Sequence, residues 1–271
     1  MVPNKFFQLS NKRIYKLSKK IFQILLMGFF LSVGVAPVKS QNVWRDKQLK
    51  NHRVKQAYRN YYWDLDSLLR SCHINPLCFD LYLQVFKEQE MVNVFLKNKN
   101  VDTFSLFAIY DFCSTVGFLG PKQRQGDFQI PEGFYVLESF NPKSNYHLSL
   151  RVSYPNMADR IRNKSSNLGG DIMIHGGCAT IGCIPIGDMM IEQLYLLATE
   201  AKNCGQDNVY IHIFPNEMSE RNRLRIMKQY PAAQLHRFWY NMLPVYEYFK
   251  THKKLPKIEV NSSGDYIISE Q

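Results

Sequence analysis

A histidine and a cysteine stand eight residues apart in Asp171-Ile-Met-Ile-His175-Gly-Gly-Cys178-Ala-Thr-Ile-Gly182-Cys183, a loop with three glycines that follows a short apolar run. That pattern suits a nucleophilic thiol and its base. The thiolate is the attacking species, and an imidazole accepts the proton and stabilises the charge that forms. On this reading Cys183 is the nucleophile and His175 the base, supported at rest as thiolate and imidazolium. The Gly176 carbonyl is the third group that orients the ring, and the Gly182 and Cys183 N–H groups are oxyanion donors. A zinc site is the competing chemistry, because His175, Cys178 and Cys183 are all zinc ligands. Their spacing matches no recognised zinc pattern and no fourth ligand stands nearby, so no metal and no cofactor is expected.

The elements that must hold this loop are legible from periodicity. Residues 41–70 read as helix, ended by a break at Pro76. Phe79–Val85 and Val92–Leu96 alternate around a polar Glu88-Gln-Glu turn, which is a hairpin, and a third strand is expected near 104–112. Further strands are expected at 134–137, 146–152, 171–174 and 209–214. Asp188 is placed to cap a helix with Met190, Ile191, Leu194, Leu197 and Ala198 on its apolar face, stopping at Gly205. The tail from Ser219 reads as helices interrupted at Pro231 and Pro244, then a hairpin around Asn261-Ser-Ser-Gly264. The class is therefore mainly β with α additions (α+β).

Composition bounds the setting. The chain has 271 residues and a formal net charge of +11. Residues 1–40 carry seven Lys/Arg, no acid and an apolar run from Ile21 to Ala36, the layout of a removed secretory signal cut before Gln41. An uncleaved anchor is the alternative, and the only membrane contact expected. Without that segment 27 basic residues face 23 acidic ones, about +4, which is not a nucleic-acid-binding composition. All six cysteines lie beyond it, so export permits disulfides. If Cys183 is free, at least one other is free too. Cys72 and Cys78, on either side of Pro76, could close a small loop, and Cys178 could protect Cys183 or be inert.

The motif loop resembles the L,D-transpeptidase catalytic domain, the YkuD-like family. His175-Gly176 matches that family's first His-Gly, and Thr180-Ile181-Gly182-Cys183 its Ser/Thr-His-Gly-Cys. Gly126-Asp-Phe-Gln-Ile-Pro131-Glu-Gly133 is similar to the segment before its catalytic strand. Gly120-Pro-Lys-Gln-Arg-Gln-Gly-Asp-Phe128, Tyr154-Pro-Asn156, Met173-Ile-His-Gly176, Phe238-Trp239 and Tyr246-x-Tyr-Phe249 resemble the short-loop, YafK-like branch. The resemblance covers roughly 79–215. It implies a β-sandwich catalytic domain there, after a 41–78 helical segment and before a 216–271 extension packed on it. It also implies a periplasmic or envelope protein that acts on peptidoglycan stem peptides, with an envelope protein as a possible acyl acceptor or leaving group. Transfer, hydrolysis and an inactive peptidoglycan-binding role remain open.

Two positions depart from the family. Ile181 replaces the second histidine and Pro185 the arginine that anchors substrate. Arg124 or Arg160 could supply the missing guanidinium, since a planar two-point donor is what a carboxylate needs. Lys122 and Thr180 complete the candidate substrate contacts. The aromatic tail is expected to pack on the catalytic domain.

Overall fold

The computed structural model describes residues 43–269. The expected signal segment, residues 1–40, lies outside them. Residues 43–269 form one compact unit.

Its frame is an eight-stranded sheet in the order β3-β2-β1-β8-β4-β5-β6-β7. The strands are β1 (Phe79–Phe86), β2 (Met91–Asn98), β3 (Ser105–Asp111), β4 (Gly133–Asn141), β5 (Ser149–Val152), β6 (Met173–His175), β7 (Ile184–Pro185) and β8 (Tyr210–Phe214). The layers expected of a sandwich are two halves of this one continuous sheet, which curls into a half-barrel. The expected hairpin forms, with Phe79 opposite Asn98 and Phe86 opposite Met91. Phe79, Leu81, Leu83 and Val85 alternate onto the core, and the opposite face of β1 is covered as well, so that Tyr82, Gln84 and Phe86 are also buried.

Helices α1 (Val43–Gln48) and α2 (His52–Ser71) precede the sheet; the single expected helix breaks at residues 49–51. Both pack on α4 (Gly187–Asn203), which presents Ile191, Leu194, Leu197 and Ala201 to the core. Two buried glutamates of α4 fasten this layer. Glu200 takes the Arg45 guanidinium and the Tyr58 hydroxyl, and Glu192 takes His147 Nε2 (2.6 Å) and Asn60 (3.1 Å).

Beyond β8 come α5 (Glu220–Gln229), α6 (Ala233–His252) and the hairpin β9–β10 (Lys257–Val260, Tyr266–Ser269). Pro244 does not interrupt α6, contrary to expectation. It and Tyr240, whose carbonyl loses its partner, lie on the exposed face, where water satisfies the freed group. Phe238, Trp239 and Phe249 are buried, as packing requires. Trp239 Nε1 donates to Glu132 Oε2 (2.8 Å). Glu132 is fully buried and pairs with Lys87, whose ammonium also reaches the carbonyls of Gly120 and Ile130 (2.8 Å each). Every charge in this network has partners, which is the condition for burying it at tolerable cost. It ties the 117–133 segment to the sheet on one side and to α6 on the other.

Candidate active site

The loop that carries the His-Gly and Gly-Cys motifs is built at the β6–β7 end of the sheet. β6 pairs antiparallel with β5 (Arg151 opposite Met173, Ser149 opposite His175) and parallel with β7 (His175 opposite Pro185). Side chains alternate along a strand, so Ile174, Leu150 and Ile184 share the core face. His175 and Pro185 share the other. Cys183 stands directly before β7, the strand that pairs with His175.

Gly176 ends β6 and admits no side chain. A Cβ there would meet Asp188 Oδ1 at 2.5 Å and Tyr146 O at 2.9 Å. Gly182 has φ +123°, and a Cβ on it would press against Gln129 O at 3.0 Å, so the loop lies directly on the 128–129 backbone. Contrary to the sequence expectation, Asp188 does not cap α4. Ile186 holds the cap position, and the Asp188 carboxylate accepts the Gly177 N–H (2.7 Å) instead.

His175 is 1% exposed. Its Nδ1 lies 2.6 Å from Gly176 O. A carbonyl only accepts, so Nδ1 carries the proton and Nε2 keeps its lone pair. Nε2 is buried and has no hydrogen-bond partner among the described residues. The Tyr146 ring covers the imidazole, with centroids 4.7 Å apart. Burial lowers the His175 pKa, against a smaller opposite effect of the Gly176 carbonyl. Burial also raises the Cys183 thiol, opposed by the Met173 backbone and the Lys122 charge. Both directions favour neutral partners. Cys183 Sγ points at Asp171 O, 3.5 Å away.

The N–H groups of Gly182 and Cys183 converge on one oxygen, at 3.2 and 2.9 Å. That oxygen is Thr180 Oγ1, which donates in turn to Cys183 O (3.0 Å). Thr180 thus staples the loop in the free protein. Lys122 is buried, with Nζ on Asp127 Oδ1 (2.6 Å) and Arg124 O (3.0 Å). Asp127 also gathers the N–H groups of Gln123, Arg124 and Gln129. The Arg124 side chain is exposed in this turn. Arg160 is exposed on α3 (Met157–Arg162) and lines a groove beside β5. Ile181 is 75% exposed, and Pro185 is buried in β7.

The cysteines pair as Cys78–Cys204 and Cys113–Cys178, leaving Cys72 and Cys183 free. The small Cys72–Cys78 loop does not form. The Gln206 side chain bonds both the N–H and the carbonyl of Leu81 (2.8 Å each), bringing the end of α4 to the start of β1 and Cys204 to Cys78. Cys178, bound to Cys113, is not available as a metal ligand beside Cys183. Among the described residues no three His, Cys, Asp or Glu side chains cluster to hold a metal ion.

Sequence reasoning missed Asp188 as a loop anchor, Tyr146 over the imidazole and Asp171 beside the thiol. Only Asp188 left a trace, as an acid opening a helix directly after the motif.

No family model matches the chain. The proteins of Escherichia coli K12 and O157:H7 named "Putative L,D-transpeptidase YafK" are each 34% identical to it over 191 residues, 70% of this chain and 74% of theirs. Among solved structures, the helical cell shape determining protein Pgp2 (K307A) of Campylobacter jejuni is 20% identical, with a TM-score of 0.40 over 61% of this chain and 56% of that one. Bd1075 of Bdellovibrio bacteriovorus is 21% identical, with a TM-score of 0.36 over 64% and 61%. The chain thus spans little more than half of the Pgp2 variant. With about a third of its residues shared over most of the Escherichia coli protein, this chain belongs to the YafK-like L,D-transpeptidase family.

Proposed function

We propose that the protein is an exported peptidoglycan enzyme that uses Cys183 to form a thioester with a stem peptide. The observation that supports this reading is a free thiol directly before β7, the strand that pairs with His175, whose Nε2 has no hydrogen-bond partner among the described residues. His175 Nε2 takes the thiol proton as sulfur attacks a stem-peptide carbonyl, by family resemblance that of a diamino acid. The C–N bond breaks, and His175 returns the proton to the departing amine. The carbonyl oxygen takes the place that Thr180 Oγ1 holds between the Gly182 and Cys183 N–H groups, where donors at about 3 Å stabilise an oxyanion. An amine, of another stem peptide or of an envelope protein, resolves the thioester as transfer. Water resolves it as hydrolysis, which trims stem peptides or detaches linked protein.

The test is to incubate the protein with defined muropeptides and weigh the products. Cross-linked dimers with released terminal amino acid identify transfer, and trimmed monomers alone identify hydrolysis. Cys183→Ala should abolish turnover while the circular dichroism spectrum stays unchanged. Turnover that survives this substitution would overturn the cysteine mechanism.

A further inference from the structure

β8 opens with Tyr210, which pairs opposite Tyr82 of β1, so the two rings belong to one face of the sheet. Tyr82 is fully buried against Phe104 and Phe249, with ring centroids 5.8 and 4.7 Å away. Helix α6 ends at His252, and Lys253 turns the chain in a left-handed conformation. Tyr210 lies beyond that cover and is 38% exposed. A cleft of about 500 Å³ opens there, and Tyr210 and Tyr248 line it.

The cleft is held by contacts between segments far apart in the chain. The 253–255 segment is tied to the 102–104 segment by the Phe104 N–H on Lys253 O (2.8 Å) and by Lys254 Nζ, 3.1 Å from Asp102 Oδ2. The 206–208 turn is fastened to β1 by Gln206 on Leu81. Asp80 pairs with Lys97 (2.8 Å) and with Lys99. In the sheet order β8 stands three strands from β6, so the cleft is separate from the thiol loop.

Its chemistry is mixed and neutral. Three ammonium groups (Lys97, Lys99, Lys254) face three carboxylates (Asp80, Asp102, Asp207), so the cleft has no excess charge with which to concentrate an anion. Lys99 and Lys254 are more than a third exposed, and each uses one of its three N–H groups on a carboxylate. The side chains of Asp207, Asn208, Tyr210 and Tyr248 make no hydrogen bond among the described residues. Tyrosine rings offer an apolar face and a polar tip, beside spare ammonium donors, an amide and a carboxylate. That set matches a saccharide, whose rings have an apolar C–H face and an edge of hydroxyl and acetamido groups that both donate and accept.

We propose that this cleft binds the N-acetylated glycan strand of peptidoglycan, with Tyr210 and Tyr248 against the sugar rings, Lys99 and Lys254 donating to acetamido carbonyls, and Asp207 and Asn208 taking hydroxyl and amide hydrogens. The proposal rests on the reading of the protein as a peptidoglycan enzyme. It adds a second contact with the polymer, remote from the bond that reacts.

The test uses the full chain and a tetrasaccharide of alternating N-acetylglucosamine and N-acetylmuramic acid that carries no stem peptide, with binding followed by titration calorimetry. Wild-type protein should bind it, and should bind cellotetraose, which lacks acetamido groups, about 10-fold or more weakly. Tyr210→Ala should weaken tetrasaccharide binding about 10- to 100-fold, the worth of covering one large side chain. Tyr210→Phe should stay within about threefold of wild type because the ring remains. Asn208→Ala should lose about 10-fold through its amide. Tyr210→Ala and Asn208→Ala should consume a free stem tetrapeptide at the wild-type kcat/KM and insoluble peptidoglycan more slowly. Wild-type protein that does not bind the tetrasaccharide, equal affinity for cellotetraose, or unchanged binding in both alanine variants would overturn the glycan site and leave the enzyme reading standing. Binding that weakens in these variants, in a protein that turns over no stem peptide, would overturn the enzyme reading and uphold the site.

Discussion

Two histidines lie in two regions of the same sheet, and each is 1% exposed. His212, on β8, has Nδ1 2.9 Å from the Tyr82 hydroxyl and the rings of Tyr82, Phe134 and Phe214 around it. His175, on β6, has one nitrogen bound to a carbonyl and the other without a partner among the described residues, and a free thiol directly precedes the strand paired with it. Burial lowers both pKa values, that of His212 to about 3. Desolvation alone therefore does not mark a base. What separates them is an open lone pair next to a group that can give up a proton. The first region is closed by aromatic packing from α6 and the hairpins. The second is kept open by glycines and by backbone that other side chains hold in place.

The largest test of this contrast is His175→Gln, which should slow acylation by about 10²–10⁴, the usual worth of a positioned acid–base group. His212→Gln should leave acylation within about threefold of wild type. Equal losses in both variants would show that His175 acts through packing rather than through its nitrogen.

The pH dependence sharpens the comparison further. The proposed mechanism requires His175 Nε2 unprotonated, and burial holds the His175 pKa below the ordinary 6.5. On acidification kcat/KM should hold through pH 6.5 and fall only below it. The Cys183 thiol lies above its ordinary 9.0, so alkylation of this residue should still be accelerating past pH 9. An alkylation midpoint near neutrality would restore the thiolate–imidazolium pair and sink the neutral resting state.

The smallest effect concerns stability. Between pH 6.5 and about 3 an unfolded chain protonates His212 while the folded protein does not. Stability is thus lost progressively as pH falls through that window. His212→Gln should lower Tm by a few degrees at neutral pH, because the Tyr82 hydroxyl loses its partner. It should also shrink the difference in Tm between pH 7 and pH 4. An unchanged pH dependence would show that His212 titrates no differently once the protein unfolds.

Local chemistry and periodicity determined much of this protein in advance. The alternation of Phe79–Val85 and Val92–Leu96 read as a hairpin and the Met190–Ala198 face as a core helix, and both form. These features repeat over a few residues, and short-range sterics and burial decide them. Tertiary structure decided what depends on residues far apart in the chain. Cys78 met Cys204 because Gln206 docks on Leu81, across 125 positions. Asp188 left its capping role because Gly177 came within reach. Thr180 took up the two loop N–H groups, and burial shifts His175 and Cys183 against their charged forms. Glu138 came beside Arg151 only through the bulge between Leu137 and Ser139. Pairing, register and desolvation arise from the whole fold, so no spacing within a single segment carries them.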